Sequence, residues 1–178
     1  MTEREQINRK LLEMARFDEL SGLYNRRYFV EQAQAAIERA KRYGEHLSVI
    51  MLDIDKFKRI NDKYGHSCGD GVIRAVSDLL KSSFRGTDII GRVGGEEFSV
   101  VMLNSKSNEA YAKAESYRIN IEQMDFEYNG QKIPVTVSLG IAELENDCQS
   151  LDELVSCADD ALYKSKNNGR NQATIYRK

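Results

Sequence analysis

The sequence predicts an α/β chain in which helices flank a central, mostly antiparallel five-stranded sheet. Three observations carry that prediction. After an N-terminal helix, the apolar spacing alternates between helical and strand-like in the order α–β–α–β–β–α–β–α–β. Leu47 to Leu52 is a nearly continuous apolar run with the length and β-branched content of a strand covered on both faces. Gly94-Gly95 separates two strand-like runs and reads as a two-residue hairpin turn, since glycine tolerates the positive φ such turns need.

Thr2 to Phe17 is a charged helix with apolar residues Ile7, Leu11 and Met14 at spacings of three and four. So narrow a stripe fits either one strand of a two-helix coiled coil or a helix packed on its own domain. The domain proper opens at Asp18. Asn25 is placed to cap a helix from about Arg27 to Tyr43, which Gly44 stops. The apolar strand follows and ends in Asp53-Ile54-Asp55. Lys56 to Gly69 reads as a polar loop, and Asp70 opens a helix to about Phe84. Asp88 to Val93 and Phe98 to Leu103 are the arms of the hairpin, and Ser107 is placed to cap a helix to about Met124. Lys132 to Leu144 is a strand region in which Gly140 marks a bulge or a close approach. Ser150 with Glu153 forms a capping box before a helix to Asn168, and Asn171 to Tyr176 makes a last edge strand.

The chain of 178 residues suits one domain and a short extension. With a net charge of −2 and a pI of about 5.8, it lacks the broad basic surface of a sequence-independent nucleic-acid binder. No apolar run approaches the ~20 residues of a membrane span, and the polar N-terminus shows no signal peptide. Cys68, Cys148 and Cys157 are an odd number without ligand spacing, and read as reduced thiols of a cytoplasmic protein.

Polar groups cluster where strands end. Acidic residues beyond a buried strand occupy a favoured place for sites in α/β layers. Asp53 is there, and Glu96 and Glu97 follow Gly94-Gly95 at the hairpin tip. If the hairpin runs beside the first core strand, these carboxylates meet above one sheet edge. Such a group can hold one or two divalent cations, ~3.5–4 Å apart in two-metal sites. Lys58, Lys166 and Arg170 supply positive charge for phosphates. The last two, at i and i+4 on one helix face, equally suit the C-terminal end of a helix dipole. Asn61 and Asp70 can accept from the donor edge of guanine, or simply cap turns.

The motifs DELSGLYNRR (18–27), DIDKFKRINDKYGHSCGD (53–70), RVGGEEF (92–98), VTVSLGIA (135–142) and ADDALYKSKNNGRN (158–171) occur in one order. By them the chain resembles the GGDEF family of diguanylate cyclases, as a GGEEF variant, over residues 18 to 176. Ser21 stands where the family usually has Thr. The resemblance implies a fold like the palm of polymerases and adenylyl cyclases, with a stalk at 1–17 and a catalytic domain at 18–178. It implies condensation of two GTP into cyclic di-GMP, with release of pyrophosphate, across a head-to-head homodimer. Two Mg²⁺ or Mn²⁺ per site would be held by Asp53, the Ile54 carbonyl, Glu96 and Glu97, with Glu96 also activating the 3′-hydroxyl. Gly94 and Gly95 would admit the triphosphate; Lys58, Lys166 and Arg170 would bind it; Asn61 and Asp70 would read guanine. Arg85-Gly86-Thr87-Asp88 matches the family's RxxD motif, with Arg85 and Asp88 gripping cyclic di-GMP as an inhibitor. A sensory module would precede the stalk in the parent protein, which could itself be membrane-anchored. The alternative is a non-catalytic receptor for GTP or cyclic di-GMP, against which both signature carboxylates speak. A polymerase palm would lack chain length for fingers and thumb.

Overall fold

The computed structural model describes residues 1–145 and 147–178. Helix α1, Glu3–Arg16, is closed by a capping box in which Thr2 Oγ1 accepts from the Glu5 N–H and a Glu5 carboxylate oxygen accepts from the Thr2 N–H. None of its residues is buried. Its C-terminal end is tied down where Asn25 donates to the carbonyls of Ala15 and Arg16. Asn25 also caps α2, Arg26–Tyr43, and Gly44 ends it at φ 66°. Phe29, Ala33, Ile37 and Ala40 form the buried face of α2.

Strand β1, Leu47–Ile54, is buried throughout. It extends past the apolar run because Asp53 enters the ladder on both sides, opposite Glu97 and Ser138. The expected loop at 56–69 is instead helical. α3, Phe57–Tyr64, is followed by Gly65 at φ 90° and then by α4, His66–Ser83. The break falls at Gly65, so Asp70 lies inside α4 rather than at its cap. Cys68 and Gly69, buried ahead of Asp70, already belong to the packed face. A helix as short as α3 buries only Ile60 and leaves too little periodicity to read.

β2, Ile89–Arg92, and β3, Glu97–Leu103, pair antiparallel. α5, Ser107–Glu122, is capped one residue earlier than expected. The Lys106 N–H donates to Glu109, while Ser107 gives its own N–H to Glu143. The expected strand region at 132–144 divides. β4, Glu127–Tyr128, and β5, Gln131–Lys132, make a hairpin around Asn129 and Gly130, both at positive φ. β6, Val137–Glu143, follows Pro134. α6, Leu151–Asn167, is capped by Ser150, but Glu153 reaches back to the Gln149 N–H instead of completing a box with Ser150. β7, Ala173–Ile175, ends the fold.

The sheet order is β2-β3-β1-β6-β7. All pairings are antiparallel except β6–β7, which α6 connects as a βαβ unit. One core lies between the sheet and α3, α4 and α5, and a second between the sheet and α2 and α6. Gly140 is a site of close approach, not a bulge: a Cβ there would run into the Ala158 carbonyl and the Leu162 backbone. Cys148 and Cys157 lie side by side, because the chain after β6 returns to pack against α6. Cys68 is free and fully buried.

Gly140→Ala should destabilise the domain by about 1–3 kcal/mol, since backbone cannot yield as a side-chain tip can. Gly86→Ala, where nothing lies within 4 Å of the added carbon, should stay within about 0.5 kcal/mol. Chemical denaturation of both variants checks the contrast.

Candidate active site

The site forms where β1 ends. Register places Asp53 opposite Glu97, and the Ile54 N–H donates to the Glu96 carbonyl at 3.2 Å, so backbone pairing alone carries the hairpin carboxylates to the end of β1. The hairpin turn differs from expectation. Neither Gly94 nor Gly95 has positive φ; the N–H groups of Val93 and Gly94 both donate to the Glu97 carbonyl. Gly94 is needed for room, because a Cβ there would meet the Glu97 carboxylate, whereas Gly95 faces open space.

Arg92 braces the turn. Its guanidinium donates to the Gly95 carbonyl at 2.7 Å and to the Asp18 carboxylate at 3.0 Å. Arg92 thus links the signature turn to the loop that starts the domain. Burial opposes the charge on Asp18, but the Ser21 and Arg92 hydrogen bonds outweigh it and hold the pKa below the usual value. A carboxylate partner for Arg92 was legible in the sequence, but its identity as Asp18 was not, because only the fold brings residues 18 and 92 together.

Asp53 is buried, and burial raises its pKa; Lys166 opposes the rise, while the charges of Glu96 and Glu97 add to it. Lys166 Nζ reaches Asp53 at 2.9 Å. Asp159 on α6 is raised too, by burial and then by Glu97 and Asp160. The donors at this end (Asp53, the Ile54 carbonyl, Glu96 and Glu97) are all oxygens, the set preferred by hard divalent cations. Among the described residues no three carboxylate, His or Cys side chains form a ready metal cluster. Mg²⁺ commonly takes one or two carboxylates and completes its shell with substrate phosphate and water.

Lys166 and Arg170 do not share a helix face. α6 ends at Asn167 and Arg170 lies beyond it at φ 63°. Lys166 meets Asp53, while Arg170 lines a cavity of about 330 Å³ together with Lys56, Arg59 and Lys63. These four cations and Lys58 make no ion pair among the described residues, and Lys58 is exposed on the first turn of α3. Lys56, Arg59 and Lys63 escaped the sequence reading because their stretch was taken for a loop.

Asn61 Oδ1 is a buried acceptor without a hydrogen-bond partner, and no other buried side-chain polar atom shares that condition among the described residues. Gly69 packs against it so closely that a Cβ would strike the Asn61 amide. Asp70, exposed, is the next residue on α4. An orphaned buried acceptor costs about 1–3 kcal/mol and points to a donor that arrives with a ligand.

At the other end of α4, Arg85 and Asp88 already hold each other. Asp88, 1 % exposed in its side chain, accepts from the Arg85 and Leu103 N–H groups, while Arg85 donates to the Leu103 carbonyl and Ser105 Oγ. The Asp88 carboxylate is thus turned inward, and Arg85 is the exposed half of the pair. Burial pushes the Cys68 thiol pKa up, which speaks against a reactive thiol there.

The sheet order and the acidic end of its central strand define the class, and the sequence comparison agrees. Residues 15–172 match the family described as "Diguanylate cyclase, GGDEF domain"; the chain belongs to the GGDEF family. It is 41% identical over 171 residues to "Diguanylate cyclase A" of Treponema denticola, covering 94% of this chain and 46% of that protein. It therefore spans less than half of that relative's length. The coiled coil and GGDEF domain of DgcB from Caulobacter crescentus, solved in complex with c-di-GMP, superposes with a TM-score of 0.89 at 30% identity, covering 97% of this chain and 91% of that one. The active GGEEF domain of a diguanylate cyclase from Vibrio cholerae gives 0.81 at 37% identity, with 86% and 97% covered.

Because the depressed Asp18 pKa stabilises only the ionised form, its contribution is present above the unfolded value of 3.8 and is lost as pH falls through the lower folded value. Asp18→Asn should cost about 1–2 kcal/mol at pH 7, with the gap to wild type closing as pH falls below 3.8 and through the lower folded value. Thermal denaturation across pH measures it.

Proposed function

We propose that this domain is a diguanylate cyclase that joins two GTP into cyclic di-GMP, one GTP bound by each of two chains facing head to head. The observation that carries this reading is the unpartnered, buried Asn61 Oδ1 beside Asp70. Two acceptors there match the paired N–H donors of the guanine edge, which adenine lacks. From these two acceptors the triphosphate would extend toward the end of β1, where Gly94 leaves room, with Lys58, Lys166 and Arg170 supplying charge. Asp53, the Ile54 carbonyl, Glu96 and Glu97 would hold Mg²⁺ or Mn²⁺, two per site, which would offset charge on the transferred phosphoryl group.

In each of the two steps, a 3′-hydroxyl oxygen of one GTP attacks the α-phosphorus of the other. The bond to the β-phosphate oxygen breaks and pyrophosphate leaves. Glu96, half-buried at the hairpin tip, accepts the hydroxyl proton. Lys166 starts on Asp53 and turns to the phosphates as they arrive. Since one site holds one GTP, catalysis needs a second copy. The exposed stripe of Ile7, Leu11 and Met14 on α1 suits a two-helix coiled coil with that copy, driven by a sensory module in the parent protein. No helix among the described residues is long and apolar enough to cross a membrane, and we place the domain on the cytoplasmic side. Arg85, with Asp88, would bind cyclic di-GMP as an inhibitor. The c-di-GMP complex of the DgcB domain supports this family's contact with that nucleotide.

Incubating a confirmed dimer with GTP and Mg²⁺ should yield cyclic di-GMP, and no product would overturn the reading. Asn61→Ala should raise the KM for GTP by about 10-fold or more and narrow the preference over ATP. Arg85→Ala should weaken inhibition by cyclic di-GMP by about 10-fold or more and leave initial turnover unchanged, as read from inhibition curves.

A further inference from the structure

Asp55 lies beyond Asp53 on the same side of β1, buried at 7 % exposure. Its position invites the role of a further metal ligand, but its oxygens are already engaged. Oδ1 accepts from the Ser138 hydroxyl at 2.6 Å, and Oδ2 accepts from the Thr136 hydroxyl at 2.8 Å and from the Asn171 backbone N–H at 3.0 Å. Among the described residues no cation pairs with it. One buried carboxylate therefore gathers the entry to β6 and the turn after α6.

That turn is strained. Arg170 and Asn171 are consecutive non-glycine residues in the left-handed region, at φ 63° and 47°. Each such residue costs about 1–3 kcal/mol and persists only where its surroundings over-determine it. Fastenings are present on every side. The Arg170 N–H donates to the Ser165 carbonyl, Gln172 Nε2 donates to the carbonyls of Asn168 and Arg170, and Arg118 donates to Asn171 Oδ1. The Asp55 bond to the Asn171 N–H is the one that joins the turn to the end of β1, where Asp53 stands.

We propose that Asp55 is a positioning residue: it holds the strained 170–171 turn against β1 and so presents the Arg170 guanidinium at the phosphate end of the site. This rests on the reading of Arg170 as a phosphate ligand. A neutral amide at position 55 loses the charge and one of the two acceptor oxygens that hold Ser138, Thr136 and Asn171 together, so Asp55→Asn should loosen the turn.

The test is a double-mutant cycle on the dimeric protein, with KM for GTP, kcat and the Mg²⁺ half-saturation point measured for wild type, Asp55→Asn, Arg170→Ala and the double variant. Asp55→Asn is expected to raise KM about 10-fold, change kcat much less, and leave the Mg²⁺ half-saturation point unmoved. Added to Arg170→Ala it should change KM no further. Thr136→Val, which removes one donor and keeps the carboxylate, should shift KM in the same direction by less, and it serves if Asp55→Asn does not fold. A raised Mg²⁺ requirement in Asp55→Asn would overturn the proposal in favour of a ligand role. Fully multiplicative losses in the double variant would overturn it in favour of a general structural role. Wild type without cyclic di-GMP synthesis would refute the enzymatic reading itself; an active wild type with an unchanged KM in both single variants would refute only this inference.

Discussion

The depth at which α6 sits on the sheet governs the candidate site. Gly140 lets the Ala158 carbonyl and the Leu162 backbone approach β6 more closely than any side chain would allow. Ser165, buried one turn on, seals the contact by donating to the Leu139 carbonyl. At that depth Lys166 reaches Asp53, Asp159 feels the charge of Glu97, and the turn beyond α6 drops onto Asp55. A helix one methyl group higher would weaken all three contacts together, because a packed core transmits displacement instead of absorbing it.

The acidic end of β1 is held in tension. Burial disfavours charge on Asp53, and Glu96 and Glu97 disfavour it further. The fold nevertheless forces them together, because ladder pairing between β1 and β3 is indifferent to what the terminal side chains carry. Lys166 offsets part of the repulsion. A cluster so arranged has a standing affinity for positive charge, which is the electrostatic condition for a cation-assisted phosphoryl site. Asp55 shows the opposite solution a short way along: three neutral donors satisfy it, and it has no need of a cation.

The other half of the site is a matter of backbone breaks. Gly65 interrupts the chain between α3 and α4 and turns α4 so that Gly69 lies against Asn61. The lack of a Cβ at Gly69 leaves the Asn61 acceptor buried yet unpaired. The braced signature turn, tied by Arg92 to Asp18, lies within reach of the loop that follows α1. Helix α1 and the site are therefore linked through that ion pair and through the backbone bonds of Tyr24 with Ile90 and Arg92.

Much of this was legible in the residues alone. The apolar run at 47–52 gave β1, apolar spacing gave α2 and most of α4, cap residues gave α5 and α6, and Gly140 marked either a bulge or a close approach. The motif set named Asp53, Glu96 and Glu97, of which the register sets Asp53 opposite Glu97, and also Asn61 and Asp70, which lie on α3 and α4. Local signals failed where elements were short: α3 is too brief to show a period, and the Asn129-Gly130 hairpin fell between the helix read to about Met124 and the strand region read from Lys132. In the Gly94-Gly95 turn neither glycine takes positive φ, and only Gly94 leaves room for the Glu97 side chain. Composition and spacing determined which chemistry the chain can carry, because residue type and local periodicity are properties of the sequence itself. The tertiary structure decided which groups meet: Lys166 with Asp53 but not with Arg170, Arg92 with Asp18, Asp55 with Asn171. Those pairings depend on helix depth, strand register and chain reversals, which are set by the packing of segments far apart in sequence.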